Sequence, residues 1–105
     1  MNWSKQLKTA KRKGTRNEHR TEEHLQKLGM TVIRAAGSLG MWDLVAYDAS
    51  RCRFIQVKSN NKPAKKEREL LEAQVVPPNC TKELWIWHDY QKLPEIIPIL
   101  TKHSE

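Results

Sequence analysis

Two short segments, Trp42-Asp43-Leu44-Val45-Ala46 and Phe54-Ile55-Gln56-Val57-Lys58, decide the fold class and indicate the chemistry. Each is an apolar strand with polar positions: Asp43 opens the first, and Gln56 and Lys58 interrupt the second. Side chains alternate between the two faces of a strand, so Gln56 and Lys58 share one face. Polar groups on a largely buried strand need partners or a function. With Asp43 beside them, they predict a site for a metal ion and a phosphate group.

The pattern around these strands predicts the order helix, three strands, helix, strand. We expect a helix from about Thr15 to Gly29, strands at 30–36, 43–47 and 52–59, a helix at 64–75, a strand at 83–88, and a proline-interrupted edge strand or short helix at 93–100. The first three strands suit an antiparallel meander, after which the second helix crosses to the fourth strand. The sequence therefore predicts an α/β fold with a mixed central sheet flanked by helices.

The first predicted helix has recognisable ends. Thr15 and Glu18 match a capping box, and Gly29 is a typical C-terminal stop. Leu25 and Leu28 mark the inward face, and one heptad before Leu25 lies Glu18, which places this carboxylate on the core side. Glu18 is thus either the capping partner of Thr15 or a site residue. On the second helix, the expected packing face consists of Leu70, Leu71, Ala73 and Gln74.

Positive charge is concentrated at the N-terminus. Residues 1–20 hold seven Lys and Arg and one Glu, whereas the whole chain of 105 residues has a net charge of +7. We expect a basic N-terminal arm at 1–13 and a single folded domain at 14–105. Such an arm either contacts a phosphate backbone or is merely solvated. Its low apolar content argues against a membrane surface.

The spacing of cysteines and histidines argues against a zinc protein, and the pattern of apolar residues argues against a membrane protein. Cys52 and Cys80 show no CxxC spacing, and the four histidines form no ligand cluster with them, so a zinc site is not expected. No run of about 18 apolar residues predicts a transmembrane helix, and the N-terminus lacks the apolar core of a signal peptide. A reduced, cytoplasmic protein is the simplest interpretation, or one in the host cytoplasm if a phage encodes it.

The order of elements and their motifs resemble the PD-(D/E)XK nuclease superfamily, and within it the archaeal-type and phage Holliday junction resolvases. The segments that carry the resemblance, from about Lys11 to Trp87, are Lys11-Arg12-Lys13-Gly14-Thr15 leading to Glu18, Val32-Ile33-Arg34 leading to Gly37-Ser38, Asp43-Leu44-Val45-Ala46, and Ile55-Gln56-Val57-Lys58-Ser59. Each motif is weak alone, but their occurrence in this order is specific. The resemblance implies a restriction-endonuclease-like core of order α-β-β-β-α-β.

The resemblance also implies roles for individual residues. Glu18 matches the helix carboxylate that helps to bind metal or the attacking water, Asp43 the central metal ligand, and Lys58 the catalytic lysine. Gln56 stands where the family usually has Glu; its oxygen can coordinate a cation but brings no charge. The implied catalytic set is Glu18, Asp43, Gln56, Lys58 and the loop serine Ser38, and the implied metal ligands are Asp43, Glu18, Gln56 and the carbonyl of Val57.

The resemblance therefore implies a Mg²⁺-dependent endonuclease, with Mn²⁺ as a substitute, that hydrolyses phosphodiester bonds of branched DNA as a Holliday junction resolvase does in recombination and repair. The expected DNA contacts are Lys11, Arg12, Lys13, Arg16, Arg34 and Lys62. Symmetric cutting of a four-way junction favours a homodimer, whose interface would also bury the apolar edge and the tryptophans. The alternatives are a flap- or end-directed repair nuclease and a non-catalytic DNA-binding module of the same fold, which Gln56 keeps open.

Several residues have two interpretations from sequence alone. Arg34 contacts DNA or pairs with an acid such as Glu22 or Glu23, and the cations around the start of the second helix are solvated or form a second phosphate track. Trp85 and Trp87 fit a core or an interface better than a base-stacking surface. A catalytic pair of His88 with the adjacent Asp89 is not expected, because neighbours on a strand face opposite ways.

Overall fold

A computed structural model describes residues 3–34 and 40–100, with side chains from residue 15 onward. The elements are α1 (Trp3–Lys27), β1 (Thr31–Arg34), β2 (Leu44–Tyr47), β3 (Cys52–Ser59), α2 (Lys65–Ala73), β4 (Cys80–Trp87) and β5 (Glu95–Ile99). The predicted order is confirmed, and the segment with the two prolines is a strand. No helix within the described residues is long and apolar enough to cross a membrane.

The strands form one mixed sheet in the order β1-β2-β3-β4-β5. β1, β2 and β3 are antiparallel neighbours, as the predicted meander requires. β3 and β4 are parallel, and β5 returns antiparallel along β4. A parallel neighbour needs a crossover connection, and α2 lies within it.

The β2–β3 hairpin is closed by an aspartate, as the turn composition predicts. Oδ1 of Asp48 accepts hydrogen bonds from the backbone N–H groups of Ser50, at 2.9 Å, and Arg51, at 3.0 Å. The amide of Asp48 donates to the carbonyl of Arg51 at 3.0 Å. This local network sets the register that places Leu44 opposite Ile55.

The two faces of the sheet carry separate apolar clusters. Toward α1, a cluster of buried side chains consists of Leu25, Met30, Leu44, Ala46, Ile55, Trp85 and Trp87. Toward α2, the buried cluster consists of Trp42, Leu71, Leu84, Ile86 and Ile99. Along β4, Trp85 and Trp87 therefore lie on the face toward α1, and Leu84 and Ile86 lie on the face toward α2. Trp85 and Trp87 lie in the core, which confirms one of their two predicted locations, and Trp42 is also buried, at 6% exposed. Because all three are buried within the single chain, the expectation that a dimer interface buries them is wrong.

The start of α1 differs from the prediction. The helix begins at Trp3, not near Thr15, so Thr15 and Glu18 lie in its interior and the predicted capping box is wrong. The segment before Thr15 is rich in Lys, Arg, Gln, Leu and Ala, all strong helix formers, and their propensity favours continuation over a cap. The end is as predicted, since Gly29 adopts φ +85° and its N–H bonds the carbonyl of Gln26 at 2.9 Å.

The predicted packing faces of the helices are only partly correct. Leu25 is buried, but Leu28 is 57% exposed because it follows the last residue of α1, in the turn toward β1. On α2, Leu71 is buried, while Leu70, Ala73 and Gln74 are exposed. A helix of nine residues presents only a narrow stripe to the sheet. Its C-terminal end is held instead by Lys82, whose ammonium donates to the carbonyls of Leu71, Glu72 and Gln74 at 2.7–2.9 Å.

A buried ion pair joins β3 to β4. The guanidinium of Arg53 donates to both carboxylate oxygens of Glu83, at 2.8 and 2.6 Å. The hydroxyl of Thr81, at 2.7 Å, and the indole N–H of Trp85, at 3.0 Å, donate to the same carboxylate. The buried carboxylate of Glu83 thus accepts four hydrogen bonds, and the guanidinium of Arg53 donates two of them, as a buried ion pair requires.

Candidate active site at the ends of β2 and β3

Two hydrogen bonds join Asp43 to β3. It immediately precedes β2, and its backbone N–H donates to the carbonyl of Ile55 at 2.9 Å. Its Oδ2 accepts the backbone N–H of Val57 at 2.8 Å. The carboxylate thus takes the place of a main-chain acceptor beside β3, and its position is defined by the sheet rather than by a flexible loop.

The surroundings of Asp43 disfavour its negative charge. Burial raises the pKa of Asp43, and the N–H of Val57 opposes that rise. The carboxylates of Glu18 and Glu67 raise the pKa further, whereas the ammonium of Lys58 lowers it. Three carboxylates and one ammonium therefore act on one another here. A divalent cation among them would relieve the repulsion between the carboxylates.

Gln56 and Lys58 point to the same face of β3, as the alternation predicts. The amide nitrogen of Gln56 donates to Oε1 of Glu67 at 3.1 Å and to the carbonyl of Met41 at 3.3 Å. The ammonium of Lys58 lies 2.8 Å from the same Oε1. These two side chains are therefore engaged by α2 and do not form a solvated strand face.

Glu67 is the residue of this arrangement that sequence reasoning missed. It lies in the first turn of α2, within the segment Lys65-Lys66-Glu67-Arg68-Glu69-Leu70-Leu71-Glu72-Ala73. The alternating charges of that segment are typical of a solvent-exposed helix face. Nothing in the local pattern distinguishes Glu67 from Glu69 or Glu72, since its contact with β3 depends on where the crossover places α2.

One buried polar atom at the site lacks a partner. Gln56 is 7% exposed, and its Oε1 has no hydrogen bond among the described residues. Buried polar side-chain atoms are nearly always bonded, so this orphan acceptor needs an explanation. Amide and carboxylate oxygens are the donors that Mg²⁺ and Mn²⁺ prefer, and the site offers both.

The donor set fits a divalent cation, although not as a cluster of carboxylates alone. Within the residues that the structure describes, no three His, Cys, Asp or Glu side chains are arranged to hold a metal ion. The oxygen of Gln56 or main-chain carbonyls would have to complete the coordination. The backbone of Val57 contacts Asp43 through its N–H, and its carbonyl remains a predicted ligand.

Glu18 reaches this region from α1. Its carboxylate lies 3.4 Å from the guanidinium of Arg34, which also contacts Nε2 of His19 at 3.1 Å. The acid partner of Arg34 is thus Glu18 and not Glu22 or Glu23. The neighbouring buried Asn17 donates to the hydroxyl of Ser59, which joins α1 to the end of β3.

The other predicted site residues lie outside the described part of the structure or at its surface. Ser38 lies outside the described residues, as do the side chains of Lys11, Arg12 and Lys13, whose backbone belongs to α1. Arg16 and Lys62 are exposed.

His88 and Asp89 follow β4, which ends at Trp87, and their side chains make separate contacts. Nε2 of His88 lies 2.9 Å from Oε1 of Glu95, and Oδ2 of Asp89 accepts the amide of Asn60 at 3.1 Å. These contacts join the ends of β3, β4 and β5, so both side chains have a structural role.

Comparison with known proteins identifies the family. The family model of archaeal Holliday junction resolvases (Hjc) matches residues 9–75. Among solved structures, the chain is similar to Hjc of Archaeoglobus fulgidus, a Holliday junction resolvase from an archaeal hyperthermophile, with 24% identity and a TM-score of 0.68 over 83% of this chain and 73% of that one. No curated protein matches. Because the family model spans more than half of the sequence, including Glu18, Asp43, Gln56 and Lys58, the chain belongs to the archaeal Holliday junction resolvase family.

Proposed function

We propose that the chain is a Holliday junction resolvase that cuts phosphodiester bonds of four-way DNA with Mg²⁺, or Mn²⁺ in its place. Family membership supports the reaction class. The observation that carries the site is the convergence of Asp43 and Lys58 beside the unpartnered oxygen of Gln56. These groups provide a negative charge, a positive charge and a free oxygen ligand at one end of two paired strands.

In this proposal Asp43, Glu18, Gln56 and the carbonyl of Val57 hold the cation. The cation would supply a nucleophilic hydroxide at neutral pH and neutralise charge on the phosphate. Asp43 is kept in place by its bond to the N–H of Val57. Gln56 offers Oε1 because both acceptors near its amide nitrogen, Met41 and Glu67, fix which end of the amide faces them.

Lys58 and Ser38 complete the proposed catalytic set. The ammonium of Lys58 is a compact charge that can donate to a phosphate oxygen or orient the attacking water. Its contact with Glu67, at 2.8 Å, holds the ammonium at the site. Ser38 is proposed to contact the scissile phosphate.

DNA binding is proposed to involve the basic arm at 1–13, with Lys11, Arg12 and Lys13, and the exposed cations Arg16 and Lys62 of the domain at 14–105. Arg34 would contribute after leaving Glu18. Two symmetric cuts in a junction call for two active sites related by a two-fold axis, so we propose a homodimer. The free cysteines suit a reducing cytoplasm as its location.

One observation favours a second candidate, a DNA-binding module of the same fold without catalysis. Position 56 carries an amide in place of a carboxylate, and no three acidic side chains converge as a metal cluster in the described part of the chain. This candidate predicts junction binding that is independent of metal and of Asp43.

The test is cleavage of a labelled four-way junction against a matched linear duplex with Mg²⁺ or Mn²⁺, for the wild type and Asp43→Asn. We expect paired, symmetric cuts in the junction, little cutting of the duplex, and loss of cutting by at least about 100-fold in the variant. Binding without cutting would favour the non-catalytic module. Cutting of flaps or ends with an intact junction would favour a repair nuclease.

A further inference from the structure

We propose that Glu67 is a ligand of the divalent cation and supplies the negative charge that Gln56 does not bring to the site. This inference rests on the proposed metal-dependent function. It assigns the missing charge to α2, the helix that follows β3, and not to β3 itself.

The first support is the position of the Glu67 carboxylate between two residues of the proposed site. Its Oε1 lies 3.1 Å from the amide nitrogen of Gln56 and 2.8 Å from the ammonium of Lys58. The side chain is 31% exposed, and it approaches the face of β3 on which Gln56 and Lys58 lie. Glu67 thus brings a carboxylate to the face of β3 that carries the Gln56 amide, whose oxygen is the proposed neutral ligand.

The second support is the orphan oxygen of Gln56. The residue is 93% buried, given its exposure of 7%, and its Oε1 has no partner among the described residues. The nitrogen faces two acceptors, Glu67 and the carbonyl of Met41, so the amide cannot be reversed without placing oxygen against oxygen. The hydrogen bond from the nitrogen of Gln56 to Glu67 therefore leaves the oxygen of Gln56 without a partner. The side chains of Gln56 and Glu67 together offer a neutral oxygen and a charged carboxylate as ligands.

The third support is the charge of the site. The proposed ligand set has only two carboxylates, Asp43 and Glu18, and Glu18 is also paired with Arg34 at 3.4 Å. Glu67 adds a further carboxylate from α2, beside Gln56 and Lys58. Carboxylates beside an unpartnered amide oxygen are the ligand types that a divalent cation such as Mn²⁺ prefers, and Glu67 adds one of them.

The fold keeps Glu67 in this position from the other end of α2. Lys82 donates to three carbonyls at the C-terminal end of the helix, and Leu71 is fully buried against the sheet. The crossover helix is thereby anchored one turn beyond Glu67. A ligand on an anchored helix is more precisely placed than one on a loop.

The experiment moves the carboxylate between the two positions and measures Mn²⁺ affinity by calorimetry and by the metal-induced rise in Tm, without DNA. The variants are Glu67→Gln, the double variant Gln56→Glu with Glu67→Gln, and the control Glu69→Gln on the exposed side of α2. The double variant has the net charge of the wild type. Glu67→Asp serves as a second variant that keeps the charge if Glu67→Gln fails to fold in circular dichroism.

We expect Glu67→Gln to weaken Mn²⁺ binding at least about tenfold, Glu69→Gln to leave it unchanged, and the double variant to recover to within about threefold of the wild type. Mn²⁺ affinity of Glu67→Gln within about twofold of the wild type overturns the proposal, because Glu67 then only positions Lys58. A double variant as weak as Glu67→Gln also overturns it. Glu67→Asp must bind Mn²⁺ more tightly than Glu67→Gln if the charge is what matters.

These outcomes are separate from the test of the proposed function. A wild type that binds Mn²⁺ through Glu67 but leaves four-way junctions intact overturns the resolvase function and not the ligand. A wild type that cuts junctions while Glu67→Gln retains full Mn²⁺ affinity overturns the ligand alone. Absence of Mn²⁺ binding by the wild type overturns both.

Discussion

The backbone N–H of Val57 donates a hydrogen bond of 2.8 Å to the carboxylate of Asp43. This donor and the ammonium of Lys58 oppose the effect of burial and of the carboxylates of Glu18 and Glu67, which together raise the pKa of Asp43. Asp43, the proposed central ligand, is therefore repelled by the neighbouring carboxylates. Catalytic sites commonly sacrifice stability in this way, and the repulsion is what a bound cation would remove.

Asp43→Asn should raise the stability of the metal-free protein by about 1–2 kcal/mol at pH 7. The amide oxygen still accepts the N–H of Val57, while a charge that Glu18 and Glu67 repel is removed. The measurement is thermal unfolding in EDTA and again in Mn²⁺, where the variant should lose the stabilisation by metal. Asp43→Ala, which also removes the acceptor, should be less stable than Asp43→Asn. A lower Tm for Asp43→Asn than for the wild type in EDTA contradicts the repulsion.

Replacing Lys11, Arg12 and Lys13 with alanine should reduce the salt dependence of junction binding. Each phosphate contact contributes about 0.9 to the slope of log K against log salt, so three lost contacts lower it by about 3. Fluorescence anisotropy between low and moderate salt measures the slope. The rate of cleavage at saturating protein should be unchanged, because these residues are not assigned to the chemistry. An unchanged slope would show that the arm is only solvated.

The pairing of Arg53 with Glu83 predicts a dependence of stability on pH. Burial raises the pKa of Glu83, but hydrogen bonds from Arg53, Thr81 and Trp85 outweigh it, and the pKa of Glu83 lies below its ordinary value of 4.5. The unfolded chain thus binds this proton more readily than the folded one. The stability that Glu83 contributes is present above pH 4.5 and is lost as the pH falls through its folded pKa.

Urea unfolding between pH 7 and acid should show this loss, and Glu83→Gln should reduce it. Arg53→Met should cost about 3–5 kcal/mol at neutral pH, since it leaves a buried carboxylate without its cation. The matched exposed variant is Arg51→Met in the hairpin turn, which should have little effect. A variant at Arg53 as stable as the wild type would mean that the pair is not buried in solution.

Strand periodicity accounts for what the sequence predicted well. The bounds of β3 and the shared face of Gln56 and Lys58 follow from alternation, which is local and strict in a strand. The meander follows from short turns such as the one at Asp48. The register of the β2–β3 hairpin also places Asp43, which directly precedes β2, beside β3.

Local patterns do not predict features that depend on competition between helix-start signals or on packing between distant segments. Thr15 and Glu18 have the residue types of a capping box, yet the helix-forming residues before them favour an uninterrupted helix. Leu28 has the helical spacing of an inward residue but lies just beyond the helix end. Glu67 reaches the site only because the crossover places the first turn of α2 above β3, which no local pattern contains.

Cys52 should react slowly with alkylating reagents in the folded protein. Burial, together with Cys80 across from it on β4, raises the pKa of Cys52 from 9.0 to about 11. At pH 8 its reactive thiolate is therefore about 100-fold scarcer than in an ordinary thiol. Mass spectrometry after iodoacetamide treatment measures the rate, and the urea-unfolded chain is the reference. Equal rates in the two states would contradict the raised pKa.

Lys82→Met should destabilise the fold and weaken metal binding together. Its ammonium donates to the carbonyls of Leu71, Glu72 and Gln74, and bonds to a charged donor contribute about 1.5–3 kcal/mol each before the cost of desolvation. We expect a loss of about 2–4 kcal/mol in urea unfolding, because burial, which lowers the pKa of Lys82, offsets part of the gain. The control is Lys66→Met, which removes an exposed cation of α2 itself. Since α2 carries Glu67, calorimetry on folded Lys82→Met should show weaker Mn²⁺ binding than in the control. Equal affinity would mean that the first turn of α2 keeps its place over β3 without the anchor.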